Sequence, residues 1–108
     1  MHVTKAELDE LSREHLDKAS ASPRGRSAHA VLKDGRLRHT LMALTTGGVL
    51  DDHAKPESAT LLVLQGSVKV SWDGGEQRVD HGGLFVLPDA VHNVTAESPA
   101  VFLLSTIA

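Results

Sequence analysis

The apolar residues of the N-terminal region recur at helical spacing. They occupy every third or fourth position on one stripe, which holds Leu8, Leu11, His15, Leu16 and Ala19. The residues between them are mostly charged, so the stripe predicts an amphipathic helix. Thr4 and Glu7 have the spacing of a capping box at its start, and the Ser-Pro pair at 22–23 ends it. We expect residues 1–25, the helix and its linker, to belong to the same unit as the rest of the chain, with the apolar stripe packed against the barrel or against a second subunit.

From residue 26 onward the pattern changes to short extended runs. Gly, Pro and Asp interrupt these runs at regular intervals, as in chains of strands joined by turns. The expected strands cover residues 29–33, 37–44, 60–64, 67–72, 76–79, 84–87, 91–96 and 100–107. Parallel strands need long crossovers, usually helices, and no second helical segment lies between these runs. The pattern therefore predicts an all-β antiparallel barrel or sandwich over residues 26–108.

Composition narrows the range of partners. The chain has 108 residues, which suits one domain, and no cysteine, which excludes disulfides and thiolate ligands. Its net charge is −3, and aromatic residues make up only 3% of the chain. A nucleic-acid-binding surface needs a basic stripe or stacking aromatics, so we expect no nucleic-acid partner. The sequence shows neither an export signal nor an apolar run that could span a membrane, which favours a soluble, cytoplasmic protein with no membrane partner.

Residues 47–96 resemble the two motifs of the cupin superfamily in their spacing. In the first motif, Gly47 is followed by five residues and then His53, and a closing glycine falls on Gly66. In the second, five residues separate Gly82 from a proline, and His92 follows shortly afterwards. The resemblance covers about half of the chain directly. It implies an antiparallel jelly-roll barrel, to which the predicted N-terminal helix adds a short α-helix.

The chain departs from the cupin motifs at several positions. In the first motif, the family's second His falls on Lys55, and its Glu falls on Ala59 or, with the other spacing, on Thr60. In the second motif, the Gly of the proline turn falls on Ala90 and the Asn falls on Ala96. The resemblance implies three His and one Glu around a metal, and only His53 and His92 remain in register. We expect these two imidazoles to line the interior at the mouth of the barrel.

A third metal ligand could come from two further positions. His39 lies on a strand before the first motif and shares the more apolar face of that strand with Leu41. Glu57 lies two residues before the family's Glu position, and Asp52 is a second displaced carboxylate. The simpler interpretation of His39 is a hydrogen-bonded residue of the core or of an interface.

Two functions remain open at this point. One is a small-molecule-binding barrel with a degenerate metal site, because two imidazoles make a weak site and a protonated Lys55 has no lone pair to donate. The alternative is a mononuclear metal-dependent enzyme of the dioxygenase, isomerase or lyase type, in which His53 and His92 hold zinc, iron, manganese or nickel. The resemblance alone implies these activities, because a fold does not determine a function.

The expected partners are a small organic ligand inside the barrel and a second copy of the chain. The resemblance implies a homodimer. Residues 100–104 also leave neither face of their strand polar, so one face could lie in the barrel and the other against a second subunit.

Overall fold

The computed structural model describes residues 1–54 and 57–107, without the side chains of Asp52 and His53. The described elements are one helix and nine strands. In chain order they are α1 (Lys5–Ala21), β1 (Arg26–Asp34), β2 (Leu37–Leu44), β3 (Val49–His53), β4 (Ser58–Gln65), β5 (Ser67–Trp72), β6 (Gly75–Asp80), β7 (Leu84–Val86), β8 (His92–Ala96) and β9 (Ala100–Ile107).

The helix begins with the predicted capping box. The Glu7 N–H donates to the Thr4 hydroxyl at 3.1 Å, and the Thr4 N–H donates to the Glu7 carboxylate at 3.3 Å. These two bonds satisfy amide groups that have no partner inside the helix.

Over the described ranges, no helix has the length and apolar character that a membrane crossing requires.

The strands form two antiparallel sheets whose inner faces share one core. One sheet has the order β1-β2-β9-β4-β7, and the other has the order β3-β8-β5-β6. Neighbours in sequence such as β2 and β3, or β7 and β8, therefore lie in different sheets. This alternation between two sheets is the topology of a jelly roll, so the predicted antiparallel fold is confirmed.

Side chains from both sheets fill the space between them. Its largest fully buried apolar members are Phe102, Leu61, Leu44, Val63, Val68, Val70 and Val94. They come from five different strands and alternate along each strand with residues that face outward. This packed interior fixes which face of each strand lines the roll.

A second apolar layer lies on the outer face of the five-stranded sheet. Here α1 places Leu8, Leu11, Leu16 and Ala19 against Leu41, Ala43, Val101 and Leu103. The second apolar face of residues 100–104, expected to meet another subunit, is therefore covered by the chain's own helix. The apolar stripe of α1 and the apolar outer face of β9 bury each other.

The sequence pattern does not predict β3. This strand is at the edge of its sheet and pairs only with β8, with an irregular register between Leu50 and His53. Asp51 is exposed, and the strand lacks the alternation that marks a half-buried strand. Its pairing with β8 nevertheless sets the position of the first motif's histidine.

Candidate functional site

Three residues of the four-stranded sheet lie side by side at one end of the roll. The backbone of His53 on β3 is paired directly with that of His92 on β8, and His92 is paired with Trp72 on β5. The register thus brings the two motif histidines to neighbouring positions, although they are far apart in sequence. The side chain of His53 lies outside the described part of the structure. We call the backbone positions His53, His92 and Trp72 the rim row.

His92 faces the interior of the roll. It alternates along β8 with Asn93 and Thr95 and shares its face with Val94 and Ala96, both members of the buried core. Its side chain is only 1% exposed. The inward orientation that strand alternation predicts for His92 is therefore present.

The carbonyl oxygen of Ala90 determines the tautomer of His92. This oxygen lies 3.0 Å from Nδ1 and can only accept a hydrogen bond. Nδ1 therefore carries a proton, and in the neutral ring the lone pair is on the buried Nε2. In this form the ring can accept a hydrogen bond or bind a metal through Nε2. The short segment between Pro88 and His92 thus both positions and orients the imidazole.

Trp72 supplies an apolar wall beside His92. It is at the end of β5, shares the interior face with Val68 and Val70, and packs against the buried core. Its ring lies 6.1 Å from that of Phe85 on β7, at an interplanar angle of 31°. The two rings bridge the opposing sheets at this end of the roll, which is an arrangement suited to an organic ligand.

Ala59 occupies an interior position on the opposite wall. It is paired with Thr106 on β9, is 2% exposed, and belongs to the buried core. The cupin motif places its Glu here, so in this chain a methyl group takes the place of the carboxylate. Thr60, the position given by the alternative spacing, pairs with Val86 and alternates with Ala59 onto the outer face.

Glu57 lies at the surface instead of the interior. Its carboxylate forms an ion pair with Arg36, and 60% of its side chain is exposed. Arg36 belongs to the turn between β1 and β2. The structure therefore does not bring Glu57 together with His92.

His39 lies on the outer face of the five-stranded sheet. Its Nδ1 is 2.7 Å from the hydroxyl of Ser105, its direct partner on β9. It shares a face with Leu41 and Ala43, which pack beneath α1. The structure therefore separates His39 from His92 by the thickness of the sheet, and the hydrogen-bonded interpretation describes its surroundings.

The donor atoms of a cupin metal centre are incomplete among the described residues. Within residues 1–54 and 57–107, apart from the undescribed side chains, no three His, Asp or Glu side chains come close enough to hold a metal together. Lys55, the position of the family's second His, lies outside the described residues, as do the side chains of Asp52 and His53. The interior carboxylate is replaced by Ala59, so the described residues do not fit a complete metal centre.

An open depression of about 500 Å³ lies next to the rim row. Its lining residues are Ser71, Trp72, Asp73, Ala90, Val91 and Asn93. Ser71 and Asn93 alternate with the inward-facing Trp72 and His92, so most of this depression lies on the outer side of the sheet. It is an approach to the rim row and not a chamber inside the roll.

Neither cupin motif includes Trp72, so the motif spacing does not predict it as a site residue. The clean alternation of residues 67–72 does predict that Trp72 shares a face with Val68 and Val70. The missing information is the cross-strand register, which places Trp72 directly beside His92. A single sequence does not show which residues of distant strands become partners.

Solved structures with the same architecture come from several bacteria. No family model matches the sequence, and no curated protein sequence matches it. A conserved protein of unknown function, SPY1581 from Streptococcus pyogenes, is 22% identical over 80% of this chain and 76% of its own, with a TM-score of 0.69. The cupin superfamily protein DSY2733 from Desulfitobacterium hafniense is 16% identical over 76% of each chain, with a TM-score of 0.70. KdgF from Halomonas sp. is 23% identical over 81% of this chain and 83% of its own, with a TM-score of 0.66.

These similarities establish the fold. The chain is a small jelly-roll domain of the cupin type with a short N-terminal helix. At these levels of identity they carry no activity, substrate or metal from the other proteins to this one.

Proposed function

We propose that this cupin-fold protein binds a small organic molecule at the rim row and does so without a complete metal centre. The observation that carries the proposal is a buried, oriented imidazole at His92 beside Trp72, in an interior to which Ala59 presents a methyl group. The imidazole offers one hydrogen-bond acceptor. The opposite wall offers apolar surface where the cupin motif has a carboxylate. Binding sites of this type combine a mostly apolar lining with a few fixed polar groups.

Trp72 and His92 have separate roles in this proposal. The indole and the nearby ring of Phe85 supply apolar contact area, and Nε2 of His92 accepts a hydrogen bond from a hydroxyl or N–H of the ligand. The hydrogen bond from Nδ1 to the Ala90 carbonyl holds the ring in the tautomer whose Nε2 accepts. Ligand binding therefore requires no change of tautomer.

The alternative function is a mononuclear metal-dependent enzyme of the dioxygenase, isomerase or lyase type. One observation favours it, namely the direct backbone pairing of His53 with His92. The tautomer of His92 also suits a metal ligand, because ligating histidines commonly donate their second N–H to a carbonyl. Against it stands the loss of the interior carboxylate at Ala59 and the surface ion pair of Glu57.

Metal analysis separates the two functions. Zinc, iron, manganese and nickel are quantified in purified wild-type protein and in the His53→Ala and His92→Ala variants, with His81→Ala as a control at an exposed turn. We expect well under one metal per chain in all four proteins. About one metal per wild-type chain that is lost in both motif variants and kept in His81→Ala would support the enzyme and overturn our proposal of a site without a complete metal centre.

Trp72 makes ligand binding directly measurable, because it is the single tryptophan of the chain. A panel of small hydroxylated and aromatic compounds is screened for saturable changes in its emission. We expect hits whose affinity falls about tenfold or more in His92→Phe, which loses the hydrogen bond but keeps the ring volume. His81→Ala serves as the control and should bind as wild type does. An emission that no compound changes, or hits indifferent to His92→Phe, would contradict the proposed site.

We further propose that the chain forms a homodimer, through a surface other than the one suggested by residues 100–104. Leu84 and Val86 on β7 are 67% and 66% exposed, and both lie on the outer face beside Leu62 and Thr60. Exposed apolar residues that cluster on one face commonly mark an interface. Light scattering at micromolar concentration should give the mass of a dimer for the wild type and of a monomer for Leu84→Lys. A monomeric wild type would remove this proposal.

A further inference from the structure

Two further histidines meet between α1 and β1, whereas the rim row belongs to the other sheet. The rings of His15 on α1 and His29 on β1 are 5.2 Å apart between centroids and tilted by 46°. His15 is only 4% exposed, and its Nδ1 lies 2.7 Å from the hydroxyl of Ser27 on β1. His29 is exposed at the side of this contact. The pair thus connects the helix to the sheet through one buried ring and one solvated ring.

The packing of His15 against Ser27 and His29 favours the uncharged form of the His15 ring. A buried imidazolium loses hydration that a single serine hydroxyl does not replace. A second imidazolium 5.2 Å away adds repulsion between like charges. The rest of the helix contact is apolar, from the layer of Leu11 and Leu16 on Leu41 and Val101. The sheet beneath the helix therefore presents apolar side chains to this contact, and the hydroxyl of the buried Ser12 on α1 already donates to the Leu8 carbonyl.

We propose that α1 is an acid-released cover, which leaves the outer face of the sheet when the buried His15, packed beside His29, takes up a proton. Near neutral pH the helix covers Leu41, Ala43, Val101 and Leu103. Below the ordinary range of histidine, the covered state loses stability relative to the released state by an amount set by the lowered pKa of His15. Release exposes a continuous apolar strip on β2 and β9.

The charged groups around His15 act in both directions. On α1, the positive charge of Lys18 opposes protonation of His15, and the negative charge of Glu14 favours it. Lys18 and Glu14 also form an ion pair with each other, with a distance of 3.4 Å from Nζ to the carboxylate oxygen. On β1, His29 opposes protonation. From β2 and β9 the outer face beneath the helix is apolar, and His39, a titratable residue of that face, is bonded to Ser105. Burial is the largest influence, followed by Lys18, and the pKa of His15 is lowered from its ordinary value of 6.5.

The direction of the pH effect follows from this lowered pKa. Released His15 is solvated and titrates near 6.5, whereas covered His15 titrates below that value. The released state therefore binds more protons as the pH falls below about 6.5, and by linkage the covered state loses stability there. Above that pH both states are neutral at this residue and the full stability of the contact is present.

Hydrogen exchange followed by mass spectrometry tests the proposal on the full chain. Exchange of residues 8–21 is measured at pH 7.5 and pH 5.5, corrected for intrinsic rates, and divided by exchange of β5 as an internal reference. The capping-box amides of Thr4 and Glu7 lie outside residues 8–21 and do not enter this ratio. We expect this ratio to rise about threefold or more at pH 5.5, because exchange reports the population of the released helix.

Three variants show whether the histidine pair is the cause. His15→Asn keeps a polar group for Ser27 but cannot be protonated, so its ratio should be independent of pH. His29→Asn changes an exposed position and should fold in any case, and it should reduce the pH effect by removing the second charge. His81→Asn, in an exposed turn, should behave as wild type does. An equal ratio at both pH values in wild type, or a full effect that persists in His29→Asn, would overturn the proposal.

Discussion

Gly66 approaches the backbone of Pro99 so closely that a Cβ at this position would lie 2.2 Å from the Pro99 carbonyl oxygen. Gly66 also has a φ of +72°, in the left-handed region that favours glycine. It joins β4 to β5 and therefore connects the two sheets.

The Gly66→Ala variant should lose about 3 kcal/mol or more of unfolding free energy, because the left-handed conformation and the contact with Pro99 both oppose the new methyl group. Gly35→Ala is the matched control. It has a φ of +58° with open space around a Cβ, so it should lose only about 1 kcal/mol. Urea unfolding of both variants gives the comparison. Equal losses would show that the approach to Pro99 has no energetic weight.

Phe102 is the largest side chain that is fully buried in the interior. Its replacement by alanine should cost about 3–5 kcal/mol, from lost transfer free energy and from the cavity that remains. Leu84→Ala removes an apolar side chain that is 67% exposed and should change the stability of the isolated chain by about 0.5 kcal/mol or less. Chemical denaturation at low protein concentration measures both. Comparable losses would contradict the assignment of Phe102 to the core.

Two serine–histidine hydrogen bonds of 2.7 Å differ in burial. Ser27→Ala leaves Nδ1 of the buried His15 without its partner and should cost about 1–3 kcal/mol. Ser105→Ala makes the same change beside His39, which is only half-buried, so water can replace the hydroxyl and the cost should stay below about 1 kcal/mol. Thermal and urea unfolding at pH 7.5 rank the two variants. The reverse order would mean that burial of His15 does not decide the strength of this contact.

The capping box of α1 provides a local test of the helix. Thr4→Ala should destabilise the helix by about 1 kcal/mol, because the Glu7 N–H loses its acceptor. Thr4→Asn keeps an acceptor of suitable length and should retain most of that stability. Hydrogen exchange of the first helical turn is the measurement, and similar exchange in both variants would show that the cap is not in use.

Strand alternation predicted the inward orientation of His92 because β8 has one apolar face. The same reasoning correctly placed His39 on one face with Leu41, but it could not decide which face of β2 lines the interior. Both faces of β2 are apolar, one inside the roll and one beneath α1. The face of β2 that lies beneath α1 is the outer one, and the packing of α1 on β2 is a contact between distant parts of the chain that strand alternation does not predict.

The spacing of the first motif predicts the position of its residues along the chain but not their partners in space. The spacing places the family's Glu position at Ala59, and the structure confirms that this residue faces the interior. Spacing could not show that Glu57 pairs with Arg36, because that ion pair depends on the turn between β1 and β2. In the same way, the pairing of His53 with His92 required β3, an edge strand too polar to be recognised from its own residues.

The position of β9 in the five-stranded sheet has a consequence for how the protein reaches its native state. β9 lies between β2 and β4, and Leu37 is paired directly with Ile107. Loop closure over such sequence separations is entropically costly and slows folding. During synthesis, β2 and β4 emerge well before the strand that joins them, and until it arrives each has an edge with unpaired backbone N–H and C=O groups. We expect incomplete chains that lack β9 to aggregate more readily than the full chain, because such edges pair with those of other chains.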